Sequence, residues 1–206
     1  MIAVDSLYRE DQFYFSIAHS IVQNSPSGVS TKRFSPTFKI GFLRDFPTNK
    51  RRNKAIAPGL GISYSNYFQN LFVFEENGNP IYSTSSIADS YDKNKFEQLF
   101  IDVPIEFRWR TSVAESHRFW RIYTGIQLSY LVYSKSKYTD PSTSVTISNN
   151  SDFNKFRCAV YLVAGNNTIN FYGFYGLTPI FSSGTEVNNE EIKMKALHFG
   201  MMFYIL

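Results

Sequence analysis

Strict alternation of apolar with small or polar residues constrains this chain most, because a side-chain period of two belongs to a β-strand with two unlike faces. Eight runs carry it. Residues 12–22 set Phe13, Phe15, Ile17 and Ile21 against Tyr14, Ser16, Ala18 and Ser20. Residues 33–43 set Phe34, Pro36, Phe38, Ile40 and Phe42 against Arg33, Ser35, Thr37, Lys39 and Gly41. Residues 55–67 oppose a bulky face (Ile56, Pro58, Leu60, Ile62, Tyr64) to a tiny one (Ala57, Gly59, Gly61, Ser63, Ser65). In 99–110, Ile101, Val103, Ile105, Phe107 and Trp109 alternate with Asp102, Pro104, Glu106, Arg108 and Arg110, so four charges share one face. Residues 120–133 alternate Ile122, Thr124, Ile126, Leu128, Tyr130 and Val132 with Arg121, Tyr123, Gly125, Gln127 and Ser129. Residues 156–164 oppose Phe156, Cys158, Val160 and Leu162 to Arg157, Ala159, Tyr161 and Val163. Residues 168–181 form a seventh run without a clear polar face, and 193–205 an eighth, with Leu197, Phe199, Met201, Phe203 and Ile205 opposite Ala196, His198, Gly200, Met202 and Tyr204. No convincing helical spacing of the i, i+3, i+4, i+7 kind appears.

An even number of long strands in a chain that ends inside its last one predicts an all-β fold: an eight-stranded antiparallel up-and-down barrel spanning residues 1–206 as one domain, with 1–11 as an N-terminal segment on the periplasmic side. The connections alternate: 23–32, 69–98, 134–154 and 182–192 are polar and two of them long, while 44–54, 111–119 and 165–167 are shorter on average. No apolar run approaches the roughly 18 residues of a membrane-spanning helix, which leaves spanning strands open: a mean hydropathy of −0.24 suits a barrel in which every second residue faces lipid.

Alternation alone does not choose the solvent, since a soluble lipocalin-like barrel alternates too. Three features favour the membrane. The polar face is small and carries Asp102, Glu106, Arg108, Arg110, Arg121 and Arg157, a set suited to a narrow interior where charges neutralise one another as a structural ion-pair network. Aromatics, 17% of the chain, gather at run ends (Phe13–Phe15, Trp109, Phe119–Trp120, Tyr130–Tyr133, Phe203–Tyr204), where headgroup girdles lie. The runs also exceed the usual soluble strand length. In hydrocarbon every backbone group needs an internal partner, so the eighth strand must pair with the first, and Pro36, Pro58, Pro104 and Pro179 belong at strand ends, at bulges or facing lumenal water.

The stretches Phe38-Lys-Ile-Gly-Phe-Leu-Arg-Asp-Phe-Pro-Thr-Asn-Lys-Arg-Arg-Asn53, Ala57-Pro-Gly-Leu-Gly-Ile-Ser-Tyr64, Ile101-Asp-Val-Pro-Ile-Glu-Phe-Arg-Trp-Arg110 and Tyr123-Thr-Gly-Ile-Gln-Leu-Ser-Tyr130 resemble the PorT-like small outer-membrane β-barrel proteins of the Bacteroidota. The final stretch, with Gly200, Phe203 and Ile205, is similar to the C-terminal signal read by the barrel-assembly machinery, although the chain closes on Leu206 rather than on an aromatic. The resemblance implies outer-membrane location, a cleaved signal peptide, and a role as an accessory or structural subunit of a larger complex serving type IX secretion, gliding or another outer-membrane assembly.

The remaining chemistry is sparse. Of three histidines, His19 falls on an apolar face, His117 in a short turn, and His198 on the lumenal face, where Ser63, Ser65 or Ser129 offer a nucleophile pairing but are more simply space-filling. No HExxH, phosphate loop or paired Cys/His spacing occurs, so no catalytic, metal or cofactor site is expected. The net charge of +4 concentrates in Lys50, Arg51, Arg52 and Lys54, without interleaved aromatics, which reads as a solvated turn rather than a nucleic-acid surface. The single Cys158 excludes an internal disulfide. Expected partners are outer-membrane lipid, other outer-membrane or periplasmic proteins, and the assembly machinery during biogenesis. A narrow pore or a membrane-bound enzyme are the alternatives.

Overall fold

The computed structural model describes residues 11–31, 33–76, 78–84, 91–111, 120–166 and 169–205. Its strands are β1 (Gln12–Gln23), β2 (Pro36–Leu43), β3 (Phe46–Pro47), β4 (Lys54–Phe68), β5 (Leu71–Glu76), β6 (Asn79–Thr84), β7 (Lys93–Arg110), β8 (Trp120–Thr139), β9 (Ser144–Ser148), β10 (Phe156–Asn166), β11 (Ile169–Gly176), β12 (Glu186–Val187), β13 (Glu190–Glu191) and β14 (Lys195–Ile205). Eight of them, in the order β1-β2-β4-β7-β8-β10-β11-β14, form an antiparallel sheet that closes because β14 also pairs with β1, from Phe13 opposite Ile205 to Gln23 opposite Lys195. Closure leaves no wall strand with an unpaired edge, the condition hydrocarbon imposes.

The alternation becomes an inside and an outside. Tyr14, Ser16, Ala18 and Ser20 are buried in the lumen while Phe13, Phe15 and Ile17 stand on the outer wall, and the same division runs round the barrel. Phe156 and Phe171, each 75% exposed, would be anomalous on a water-facing wall but are ordinary against lipid. The ambiguous seventh run resolves as Ile169, Phe171 and Tyr175 outward and Asn170, Tyr172, Phe174 and Gly176 inward. Its polar face was hard to see because it is made largely of aromatics. Outward aromatics form a lower band near the short turns, where Phe13 packs on Phe42 at 5.1 Å, and an upper one, where Tyr130 packs on Phe156 at 4.9 Å. Tyr204 departs from the girdle expectation: it points into the lumen. Phe119 and His117 lie outside the described residues, as do residues 1–10 of the expected N-terminal segment.

Several boundaries differ from the sequence reading. The seventh run ends at Gly176 rather than 181, because Ile180 and Phe181 turn into a packed cap and cannot continue the wall. β7 and β8 extend beyond the expected runs, to Lys93 and Thr139, and β9 adds to the edge of this extension. Between them, Leu99 faces Tyr133 but Phe100 faces Leu131, so Val132 is bulged out and the phase of β8 slips by one residue. Pro36 opens β2 and Pro179 lies past β11, as anticipated for strand ends. Pro104 sits mid-strand, and the β4–β7 register breaks off between Pro58 and Gly61, beside it.

Candidate functional site

The barrel interior and the loops over its mouth hold nearly all buried polar chemistry, in three layers. The lowest, near the short turns, is ionic. Arg110 grips Asp45 bidentately, Nη1 donating to Oδ1 at 2.9 Å and Nη2 to Oδ2 at 2.8 Å, while Arg108 Nη1 donates to the same Oδ1 at 3.0 Å and its Nε to Glu106 Oε2 at 2.9 Å. Glu106 Oε1 accepts from the Tyr204 hydroxyl at 2.8 Å and the Tyr161 hydroxyl at 3.2 Å. The Arg108 guanidinium lies 5.0 Å from the Tyr123 ring centroid and that of Arg121 5.2 Å from Tyr204. Buried pairs of this kind hold when further hydrogen bonds share the load, and the Tyr161 and Tyr204 hydroxyls supply them to Glu106. Two glycines make room for the collar: a Cβ on Gly61 would stand 2.1 Å from the Tyr14 hydroxyl, and one on Gly125 2.5 Å from the Tyr161 ring. The tiny face of residues 55–67 is thus the complement of tyrosines on other strands.

The middle layer is polar but mostly made of neutral partners. Lys39 Nζ donates to Gln127 Oε1 at 2.9 Å, Gln127 Nε2 to Ser129 Oγ at 2.9 Å, and Ser129 Oγ to Asp102 Oδ1 at 2.6 Å. Lys39 Nζ also lies 3.9 Å from the Phe174 ring centroid. Arg157 Nη2 donates to Gln98 Oε1 at 2.6 Å, its guanidinium 4.1 Å from the centre of Phe100. His198 stacks on Phe174 at 4.5 Å, its Nε2 3.3 Å from the Tyr67 hydroxyl. The cavity left among Lys39, Ser65, Tyr67, Gln127, Arg157 and His198 is about 30 Å³, room for little more than a water molecule.

The six charged residues expected to form one network therefore divide. Glu106, Arg108 and Arg110 join in the lower layer, with Arg121 beside them on the tyrosine rings, whereas Asp102 and Arg157 sit a layer higher on Ser129 and Gln98. Sequence reasoning missed Asp45, the hub of the lower layer, because it falls just after the alternation of its run has ended. It also left Lys39 without a role. The signal for Asp45 was an excess of arginines over carboxylates on the polar faces of 99–110 and 120–133. Gly200, Phe203 and Ile205 lie on β14, where Phe203 packs against Phe15 at 6.3 Å.

The third layer is a folded cap. Phe96 at the top of β7 packs on Phe153 (5.3 Å) and Phe181 (6.0 Å), which pack on each other at 4.8 Å, and Tyr82 meets Phe181 edge-on at 5.5 Å. Leu71, Ile180, Ile192 and Met194 are fully buried around them. Polar stitches tie one loop to the next: Ser30 N–H to Asn70 Oδ1 (2.7 Å), Asn70 Nδ2 to the Gly28 carbonyl (2.7 Å), the Tyr82 hydroxyl to Asp152 Oδ2 (2.9 Å), and Asn154 Nδ2 to the carbonyls of Pro179 and Phe181. Burial raises the pKa of the Tyr82 phenol, reinforced by Asp152, so it stays a donor. No group of three or more His, Cys, Asp or Glu side chains suited to a metal occurs among the described residues.

A family model described as the outer membrane protein beta-barrel domain matches residues 5–182. No curated protein matches the chain. Among solved structures it is similar to the crystal structure of Ail, the attachment invasion locus protein of Yersinia pestis, at 14% identity over 96% of this chain and 100% of that one, with a TM-score of 0.42. The structure of Ail in complex with the heparin analogue sucrose octasulfate matches with the same identity and coverage and a TM-score of 0.40. With its family model covering most of its length, the chain belongs to the outer-membrane protein β-barrel domain family and resides in the outer membrane.

Proposed function

We propose that this protein is a non-catalytic docking barrel, which anchors an ordered loop cap in the outer membrane and presents it, with the adjoining strand extension, to another component of an envelope complex. The observation that carries this reading is the cap: three loops fold on a shared aromatic core and a fourth, through Ser30 and Gly28, is hydrogen-bonded to them, forming a preorganised surface of the kind that binds without a large ordering cost. His198 favours the non-catalytic reading, because its ring is stacked on Phe174 with its Nε2 turned to the Tyr67 hydroxyl rather than to a serine. A conducting pore is disfavoured by the ionic layer and the cap, both of which lie across the path. The PorT-like resemblance makes type IX secretion or gliding the leading candidate for the assembly, and the placement of Gly200, Phe203 and Ile205 on the closing strand fits a biogenesis signal for the barrel-assembly machinery.

The test is purification of the tagged chain from its native membranes in mild detergent. Recovery of defined partners, lost when the cap is loosened by Phe181→Ala but kept when the lower lumen is altered by Tyr161→Phe, is the expected result. Recovery of monomer alone under several detergents would overturn it.

A further inference from the structure

We propose that the outer wall of β7, β8 and β10 is a binding site for an anionic lipid of the outer leaflet, whose phosphorylated headgroup is held by Lys135, Lys137 and their neighbours and whose acyl chain lies in a groove beneath them. The upper β7–β8 extension has two unlike faces. Its inner face carries Asn94, Phe96, Gln98, Ser134 and Ser136, all buried, and beyond them Tyr138, which is covered by Phe72 and Phe74 at 5.1 and 5.9 Å. Its outer face, in line with the lipid-facing residues below, carries Lys93 and Lys95 on β7 and Lys135 and Lys137 on β8.

The register places Lys95 directly opposite Lys137, a like-charge cross-strand pair, and Glu97 directly opposite Lys135. Glu97 is the one acidic side chain on this outer face, and it is engaged with Lys95 and with the phenol of Tyr64 on β4. Lys93, Lys135 and Lys137 have no ion-pair partner among the described residues. At about 3.3 Å per residue, Lys95 and Lys137 stand about 13 Å along the strands beyond Leu99 and Tyr133, just above the upper aromatic band, at the height of headgroups.

Farther down the same wall, about 20 Å along β7 from Lys95, lies a groove of about 440 Å³, open to the lipid side and lined by Ile101, Val103, Leu128, Tyr130 and Phe156, with Ser129, Arg157, Cys158 and Thr178 also lining it. It forms where β11 has ended and the chain folds back, the Cys158 amide donating to Thr178 Oγ1 at 3.0 Å, so no large side chain fills the wall there. A patch of four lysines against one carboxylate, above a largely apolar trough on the same wall, matches one molecule in both halves: a phosphorylated lipid. It is complementary neither to a zwitterionic lipid, which offers no net charge, nor to a free phosphate, which leaves the groove unused.

The test uses the full chain folded in zwitterionic-detergent micelles and native mass spectrometry to count retained lipid. Dimyristoyl phosphatidic acid is titrated against dimyristoyl phosphatidylcholine, with inorganic phosphate as competitor. The expected result is retention of phosphatidic acid at concentrations on the order of thirtyfold lower, since each basic side chain near an anionic group contributes about a fivefold preference. Lys135→Gln with Lys137→Gln should erase that preference, and Val103→Trp, which narrows the trough from an exposed wall position, should weaken retention of both lipids. The proposal is overturned if the unaltered protein shows no preference, if the lysine variants keep it, or if millimolar inorganic phosphate displaces the lipid completely.

Discussion

The lower lumen and the loop cap both close the barrel, by opposite means. The lower layer is held by charge: two arginines on one carboxylate, a second carboxylate under two tyrosines, and little apolar packing. The cap is held by burial: phenylalanines at 4.8 to 6.0 Å with hydrogen bonds round their edge. The difference follows from what each region can exclude. A tube narrowed by eight strands leaves room only for side chains projecting from its own wall, and alternation restricts those to one residue in two, so long side chains must meet across the axis and satisfy one another. Loops are free of that restriction and can fold a small core of their own. The lower layer is therefore brittle, since each member depends on all the others, whereas the cap should fail locally.

The largest expected effect comes from breaking the ionic hub. Asp45→Ala leaves Arg108 and Arg110 buried without their shared carboxylate and should cost about 3–5 kcal/mol, read from urea unfolding of the barrel in lipid vesicles. A loss below about 1 kcal/mol would mean the layer is hydrated rather than sealed. Next, Phe181→Ala should cost about 3 kcal/mol of cap stability by opening a cavity among Phe96, Phe153 and Tyr82. Hydrogen exchange should then rise in 69–84, 150–155 and 177–194 while the wall strands keep their protection. Global loss of protection would show that cap and barrel are one cooperative unit. Gly61→Ala, which drives a methyl into the Tyr14 hydroxyl, should cost about 2 kcal/mol and shift the Tyr14 ring, seen by side-chain NMR.

The smallest effect concerns pH at the tip of the β8–β9 extension. Asp140 has its carboxyl held below the usual carboxylate range, first by the Tyr138 hydroxyl and then by the amides of Ser142 and Thr143. A depressed carboxylate contributes above its unfolded pKa and loses that contribution as pH falls through its folded one, so the tip should loosen only in acid. Amide exchange at Thr143 as a function of pH, compared with Asp140→Asn, checks the sign.

The wall was legible in the sequence because lipid on one side and a crowded lumen on the other impose a pattern of period two on residues such as Ile101-Asp-Val-Pro-Ile-Glu. That pattern also marked Glu106, Arg108 and Arg110 as interior. It failed wherever the chain left the wall. Asp45 sits two residues past the end of its alternating run at Leu43, Val132 is displaced by a bulge that no residue type announces, and the cap draws Tyr82, Phe153 and Phe181 from three separate loops. Such contacts are set by where the wall delivers the loop ends, which no local period records.

The claim that lumen and cap together make this a sealed, docking barrel is tested most directly by recording current across planar bilayers containing the purified protein, first unaltered and then as Asp45→Ala with Phe181→Ala. A sealed barrel gives no conductance steps from the unaltered protein, with discrete openings emerging only when both closures are broken. Steady conductance from the unaltered protein would contradict it.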